Sequence, residues 1–306
     1  MIKPVSRAAR KALGVLRSLS RQDRRIDDIL FAQGEILARQ SGNVVGSRLQ
    51  DFEFKVYSQW GEDGIIQELI RHIDIPDPAF VEFGVQDFKE ANCRFLMMRN
   101  NWRGLVIEAN ERDVNRIKAA PYYWRHELNA VHAFVTADNI NEIIDAAGFG
   151  GDVGLLSVDI DGVDYWVLKA IENCRPRIWI VEYNAVFGAD RAIAVPYDAN
   201  FVRSEKHYSH LYFGASLKAF EYLGMRKGYS LVGTNSAGSN AFFIRNDLIR
   251  SCPFEPVSVD EAFVGSRVRE SRDRDGKLSF LQGDDRLAEI RGMPVVNVVS
   301  GEIEQL

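Results

Sequence analysis

Two stretches decide the fold, Ala79-Phe-Val-Glu-Phe-Gly-Val85 and Gly104-Leu-Val-Ile-Glu-Ala-Asn110. Each is almost continuously apolar up to a carboxylate, which is typical of a strand in a parallel sheet that is covered on both faces. Three more runs of this kind follow, at residues 130–136, 153–160 and 177–184. The segments between the runs are long enough for crossover helices, so the sequence predicts a doubly wound α/β domain.

A hairpin is predicted to complete this sheet. Residues 229–233 and 240–245 have the composition of strands, and only the polar link Thr-Asn-Ser-Ala-Gly-Ser joins them. A link this short permits only antiparallel pairing. We therefore expect a Rossmann-like, mostly parallel seven-stranded sheet within residues 51–252. A basic helical arm (1–50) precedes this domain and a C-terminal extension (253–306), with a further strand near 293–299, follows it.

Composition excludes several classes of protein. Hydrophobic residues make up 46% and charged residues 26% of the 306 residues, as in an ordinary globular protein. The net charge of −5 argues against a nucleic-acid binder, which needs a basic face. Three widely spaced cysteines form neither a disulfide framework nor a zinc site. No apolar run approaches the roughly 20 residues of a membrane span, and we expect a cytoplasmic protein.

The arm at residues 1–42 has apolar residues at helical spacing and basic residues on its other faces. One interpretation is an amphipathic helix that contacts a membrane surface or an acidic partner. The other is a helix that packs on the body of the protein or on a second copy of the chain. The small alanines of the apolar face favour packing over peripheral membrane contact, and packing on a second copy of the chain would make the protein a homo-oligomer.

Polar residues at the carboxyl ends of the first two strands indicate a ligand, because open α/β sheets bind ligands at that edge. Glu82 can receive the ammonium of a methionine-like group, and Gly84 lets the backbone approach a ligand closely. Asn92 ends the loop that follows. Glu108 ends the second strand, where a carboxylate can accept both ribose hydroxyls of an adenosine. We predict that these four residues bind a cofactor.

The cofactor predicted by this pattern is S-adenosylmethionine (SAM) rather than a nicotinamide or flavin dinucleotide. A dinucleotide needs a G-x-G-x-x-G loop that seats its pyrophosphate. Only Gly84 is present here, and Gln86 and Phe88 stand where further glycines are needed. SAM has no phosphate and does not require that loop.

Acids also close the fourth and fifth strands, in Asp159-Ile-Asp161-Gly-Val-Asp164 and Glu182-Tyr-Asn184. Two acids at positions i and i+2 can converge on a divalent cation, or can orient a substrate hydroxyl and accept its proton. Alternatively, Asp161 or Asp164 only caps the next helix. A cap does not need Asp159, and ionised groups at the ends of apolar strands are costly to bury without partners.

Two loop histidines, His207 and His210, precede a predicted helix that starts near residue 215. A histidine over the edge of the sheet is a candidate base for a sugar hydroxyl, although a solvated surface histidine is an equal alternative. We predict His210 as the base and His207 as a substrate contact. Glu182 and Asn184 are also predicted to contact the substrate.

The run Asp159-Ile-Asp-Gly with the following Asp164-Tyr-Trp-Val-Leu-Lys-Ala resembles a segment of FkbM-type SAM-dependent methyltransferases. Residues 80–92, 106–110 and 180–184 are similar to the flanking motifs of class I methyltransferases. Tyr57-Ser-Gln-Trp-Gly-Glu-Asp-Gly64 is similar to the lead-in of bacterial relatives that are associated with surface polysaccharides. The resemblance covers about residues 55–250.

This resemblance implies a class I methyltransferase fold, SAM as methyl donor, and O-methylation of a sugar of a polysaccharide or glycolipid, or of another small hydroxylated metabolite. It implies that Glu82, Gly84 and Glu108 bind SAM, and that Asp159 and Asp161 lie beside the reacting centre. We expect Asp159 also to contact SAM, and Asp159, Asp161 and Glu182 to hold Mg²⁺ or the acceptor hydroxyl. The alternatives are a non-catalytic scaffold with this fold and, less favoured, a dinucleotide-dependent oxidoreductase.

Overall fold

The computed structural model describes residues 25–306. Helix α1 covers residues 25–41 of this range, and the rest of the predicted arm helix lies outside the described residues. In chain order the strands are β1 (Ala79–Phe83), β2 (Arg103–Glu108), β3 (Leu128–His132), β4 (Leu155–Val158), β5 (Ile178–Glu182), β6 (Ile193–Ala194), β7 (Tyr229–Thr234), β8 (Asn240–Arg245), β9 (Pro294–Asn297) and β10 (Ile303–Gln305).

Seven strands form the main sheet, in the order β3-β2-β1-β4-β5-β8-β7. Strands β1 to β5 pair in parallel, and β8 pairs antiparallel with both β5 and β7. The chain builds outward from β1 to β3 and then returns to place β4 on the other side of β1. This confirms the predicted Rossmann-like sheet with its antiparallel hairpin. The three remaining strands form a small antiparallel sheet, β10-β9-β6, in which β9 corresponds to the strand predicted near 293–299.

Helices cover both faces of the main sheet. Besides α1 they are α2 (Glu62–His72), α3 (Arg94–Asn100), α4 (Glu111–Ala119), α5 (Ile140–Ala147), α6 (Asp164–Ala170), α7 (Arg203–Lys206), α8 (Leu217–Lys227), α9 (Val259–Ala262) and α10 (Asp284–Glu289). Successive strand residues alternate between two apolar clusters: Phe80 packs with α2, α3 and α4, whereas Val81 packs with α5, α6 and α8. Burial on both faces explains why the strands are continuously apolar.

Two predicted boundaries differ from the structure for local reasons. The third strand was expected at 130–136 but covers Leu128–His132, because its partner β2 ends at Glu108, opposite His132. The apolar residues at 65, 66, 69 and 70 predict a helix from about Ser58, but α2 begins at Glu62. The backbone N–H groups of residues 56, 57 and 58 instead donate to the carboxylate of Asp63, at 2.7–2.8 Å.

The C-terminal segment (253–306) packs back onto the carboxyl edge of the main sheet. The hydroxyl of Tyr183, just after β5, donates to Val264 O (2.7 Å), and that of Thr234 donates to Ala262 O (2.5 Å). Strand β9 pairs with β6, which holds the end of the chain against the body of the protein. Among the helices of residues 25–306, none is long and apolar enough to cross a membrane.

Candidate active site

A cavity of about 450 Å³ opens at the carboxyl ends of β1, β2, β4 and β5. The residues at or just after those strand ends, Gly84, Glu108, Asp159 and Glu182, all line it. The strand order reverses between β1 and β4, and α/β sheets bind their ligands at such a reversal. The position of the cavity follows from the topology of the sheet.

Three carboxylates converge in this cavity. Asp159, Asp161 and Glu182 each offer an oxygen, and these oxygens all lie within 4.8 Å of one another. Burial, reinforced by the neighbouring acids, raises the pKa values of Asp159 and Glu182 well above their ordinary range. In the described structure, Oε2 of Glu182 is buried without a hydrogen-bond partner. A pair of this kind is stabilised by a shared proton or by a divalent cation with oxygen ligands.

The loop after β4 is shaped by Asp164, which is the first residue of α6. Its carboxylate accepts the N–H groups of Ile160 (2.8 Å) and Gly162 (2.9 Å), and burial raises its pKa to about 6. The residue before α6, Val163, makes no side-chain cap. Asp161 lies inside this loop with φ 55° and pairs with Arg203. Asp164 therefore holds the loop together, while Asp161 presents its carboxylate to the cavity.

Glu108 is a fixed pair of acceptors at the end of β2. Its Oε2 accepts the N–H of Gln86 (2.8 Å) and its Oε1 accepts the N–H of Asn110 (2.8 Å). Each carboxylate oxygen has a second lone pair, so the group can still accept two hydroxyl hydrogens. Because both bonds come from the backbone, the orientation of the carboxylate does not depend on flexible side chains.

Glycine is required at position 84 because the backbone that follows β4 passes close to it, and the same residue also lines the cavity. Its φ is 71°, and a Cβ at this residue would lie 1.7 Å from the carbonyl oxygen of Asp159. The loop that follows buries Phe88 against Tyr122, with ring centroids 5.9 Å apart. Phe88 therefore takes up a packing position in place of the glycine of a phosphate-binding loop.

Glu82 and Asn92 are buried and do not line the cavity. The carboxylate of Glu82 accepts the N–H groups of Asn92 (2.7 Å) and Cys93 (3.0 Å), and burial raises its pKa to about 7. The amide of Asn92 donates to Ser157 Oγ (3.1 Å). These bonds join the start of α3 to β1 and β4. A direct role of either residue in cofactor binding stays a prediction.

The remaining predicted residues lie after β5. Asn184 lines the cavity, but its amide donates to the carbonyls of Leu211 (2.9 Å) and Phe213 (3.0 Å). It therefore anchors the loop that precedes α8. His207 contacts Ser209 Oγ at 2.7 Å, and the carbonyl of His210 accepts Arg203 Nε (2.7 Å). Neither imidazole is among the groups that line the cavity. Burial lowers both histidine pKa values, and their roles stay predictions.

Other cavity residues were not found by sequence reasoning. Trp60 lies in the lead-in 57–64 and Phe134 lies in the apolar run 130–136. Neither stretch indicates by itself that these two side chains line a cavity. Arg203 and Arg286 carried no local signal. Arg286 lies in the charged C-terminal segment, and only tertiary packing brings it to the strand ends.

No protein-family model matches this sequence, and no curated protein matches it. Solved structures of similar fold include the N-terminal domain of EvdMO1 with SAH bound, at 10% identity and a TM-score of 0.40, over 69% of this chain and 94% of that one. A S-adenosylmethionine-dependent methyltransferase from Clostridium acetobutylicum is 8% identical, with a TM-score of 0.39 over 60% and 90% of the two chains. An O-methyltransferase from Bacillus cereus in complex with SAH is 14% identical, with a TM-score of 0.35 over 55% and 72%.

Similarity this distant does not transfer an activity or a ligand to this chain. It also leaves the resemblance to the FkbM-type family unconfirmed.

Proposed function

We propose that this protein is a SAM-dependent methyltransferase that methylates a hydroxyl oxygen. The observation that carries the proposal is the convergence of Asp159, Asp161 and Glu182 in a cavity that also contains Glu108. The acid cluster can accept the proton of a hydroxyl group, and the single acid at the end of β2 can accept hydrogen bonds from the ribose of an adenosine.

The cofactor assignment rests on the wall formed by the ends of β2 and β3. Glu108 has two acceptor positions left for the two ribose hydroxyls. Ala109, Ala133 and Phe134 line the same cavity and offer an apolar surface on which an adenine ring can pack. No second glycine occurs in residues 84–92, which suits a cofactor without phosphates.

Methyl transfer from a sulfonium is an in-line displacement, so the protein contributes mainly by aligning the acceptor oxygen with the methyl carbon. The acceptor hydroxyl must also lose its proton, and a carboxylate of the Asp159–Glu182 pair lies where it can take it. The same three carboxylates are oxygen donors of the kind that Mg²⁺ prefers. If bound there, Mg²⁺ would offset the repulsion between the acids and polarise the acceptor oxygen.

For the acceptor we propose a sugar hydroxyl of a polysaccharide or glycolipid, or that of a small metabolite. The support is the resemblance of the segment around Asp159 to FkbM-type enzymes, together with the carboxylates of Asp159, Asp161 and Glu182, which can hydrogen-bond a hydroxyl. The adjoining loop after β5 is held by Asn184, so the acceptor side of the cavity has a fixed shape.

Calorimetric titration with S-adenosylhomocysteine tests the proposal. We expect the wild type to bind, and Glu108→Ala to weaken binding by at least about tenfold, because each lost hydrogen bond to a charged group contributes about 1.5–3 kcal/mol. Glu111→Ala, an exposed acid at the start of α4, is the matched control and should bind as the wild type does. Glu108→Gln keeps the shape of the side chain and tests the loss of charge alone.

A lack of binding would contradict the proposal. If the wild type does not bind S-adenosylhomocysteine with or without Mg²⁺, the alternative of a non-catalytic scaffold is favoured. Equal binding by Glu108→Ala and the wild type would show that the carboxylate at the end of β2 does not bind the cofactor.

A further inference from the structure

We propose that Arg286 forms an anion subsite of this cavity, which binds a carboxylate or phosphate group on the acceptor. This inference rests on the proposed function and adds the chemical class of the acceptor to it. Arg286 belongs to α10 in the C-terminal segment, and it lines the cavity beside Ser266 and Val268.

Arg286 is a buried cation whose hydrogen bonding is incomplete. Its residue surface is only 9% exposed, its Nη1 donates to the carbonyl of Val268 (2.7 Å), and its Nε is buried without a partner in residues 25–306. No carboxylate of that range forms an ion pair with it. Buried charges are normally paired, so this guanidinium lacks the partner that its burial requires.

The nearby charged groups already have partners. Arg203 pairs with Asp161, and its guanidinium lies 3.8 Å from the ring centroid of Phe213. Glu270, which also lines the cavity, pairs with Arg272 (3.2 Å). In the described part of the chain, Arg286 is thus the cavity cation for which an external anion would supply a missing partner.

Burial and the positive charge of Arg203 lower the pKa of Arg286. An oxyanion beside Arg286 would offset both effects, and the planar fork of a guanidinium fits a carboxylate or phosphate through two parallel hydrogen bonds. The acid cluster does not prevent this, because Arg203 pairs with Asp161 and offsets its charge.

The position of Arg286 favours the acceptor over the carboxylate of SAM. The positive charge of Arg203 lowers the pKa of Arg286, and Arg203 itself pairs with Asp161 in the loop after β4. Glu108, the proposed ribose contact, ends β2 on the other side of β1. Arg286 is therefore associated with the loop after β4, whereas the proposed ribose contact ends β2, and these two strands flank β1.

The test uses the full chain saturated with S-adenosylhomocysteine, without added metal. Inorganic phosphate is titrated and followed by the width of its phosphorus resonance, and acetate is titrated and followed by saturation-transfer NMR. We expect Arg286→Gln to weaken the binding of at least one anion by about tenfold or more. Arg291→Gln, an exposed arginine close to α10, is the control and should stay within about twofold of the wild type.

The two anions separate the sources of the ligand group, since phosphate binding indicates a phosphorylated acceptor and acetate binding an acidic one. Arg286→Lys keeps the charge but not the fork, and should be intermediate. The proposal is overturned if the wild type binds neither anion, or if Arg286→Gln binds both as the wild type does. It is also overturned if Arg286→Gln weakens S-adenosylhomocysteine binding tenfold, because Arg286 would then hold the cofactor carboxylate.

Failure of this inference is distinguishable from failure of the proposed function. A wild type that binds S-adenosylhomocysteine but neither anion rejects only the subsite. A wild type that does not bind S-adenosylhomocysteine rejects the cofactor, and the anion titrations of the free protein then report on Arg286 alone.

Discussion

Asp159→Asn should stabilise the protein at pH 8, even though it removes an acid that we assign to the active site. Asp159 and Glu182 have pKa values raised above those of an unfolded chain. The folded state therefore binds more protons than the unfolded state, and wild-type stability falls as the pH rises through the raised pKa values. Asparagine does not ionise, and its amide can donate a hydrogen bond to the carboxylate of Glu182.

The size of the effect follows from the geometry of the pair. Two unit charges at the 4.8 Å limit of the cluster repel by about 3.5 kcal/mol at an effective dielectric constant of about 20. Arg203 offsets part of this repulsion. We expect a gain of about 1–3 kcal/mol at pH 8, or roughly 2–5 °C in the unfolding midpoint of a chain of this length. The gain should shrink at pH 5.5, where the wild-type pair is more fully protonated.

Thermal unfolding followed by circular dichroism measures this difference at both pH values. Asp190→Asn is the matched control, since Asp190 is exposed and its substitution should leave the midpoint nearly unchanged. Mg²⁺ adds a second arm, because a cation held by the three acids would stabilise the wild type at pH 8 more than Asp159→Asn. If Asp159→Asn lowers the midpoint equally at both pH values, the repulsion argument is wrong.

Two further predictions concern the neighbours of this pair. Gly84→Ala should destabilise the protein by about 3 kcal/mol or more, because its Cβ would meet the Asp159 carbonyl. Gly148→Ala, with φ 75° and nothing within 4 Å of the added carbon, should cost only about 1–2 kcal/mol of backbone strain, and equal losses in urea unfolding would contradict the contact argument. Arg203→Gln should raise the pKa values of Asp159 and Glu182 further, which moves the acidic limb of the rate–pH profile to higher pH. An unmoved limb would show that neither carboxylate has to ionise for turnover.

The sheet was predictable because its strands are buried on both faces. In β1, Phe80 and Val81 point into different apolar clusters, and this double burial makes the whole run apolar. The end of β3 was not predictable in the same way. Residues 133–135 are as apolar as the strand, but they leave the sheet and line the cavity, with Phe134 44% exposed. An apolar run alone does not tell a strand from a ligand wall.

The convergence of acids was predictable for a topological reason. The carboxyl ends of parallel strands meet at one edge, so Glu108, Asp159 and Glu182 had to lie near one another once the strands were identified. Glu82 follows the same sequence rule, yet it is buried and does not line the cavity. Its partners are the N–H groups at residues 92 and 93, and a local pattern does not show that the loop returns to cover it.

The lining of the cavity comes from different parts of the chain, and this bears on specificity under the proposed function. Glu108, Asp159 and Glu182 lie at strand ends of the main sheet, which the fold itself holds in position. The lining also includes Arg203, from α7, and Ser266, Glu270 and Arg286 from the C-terminal segment. Binding residues carried on connecting segments can change without disturbing the sheet. It follows that substitutions in residues 253–306 should alter which acceptor is bound while leaving the cofactor site intact.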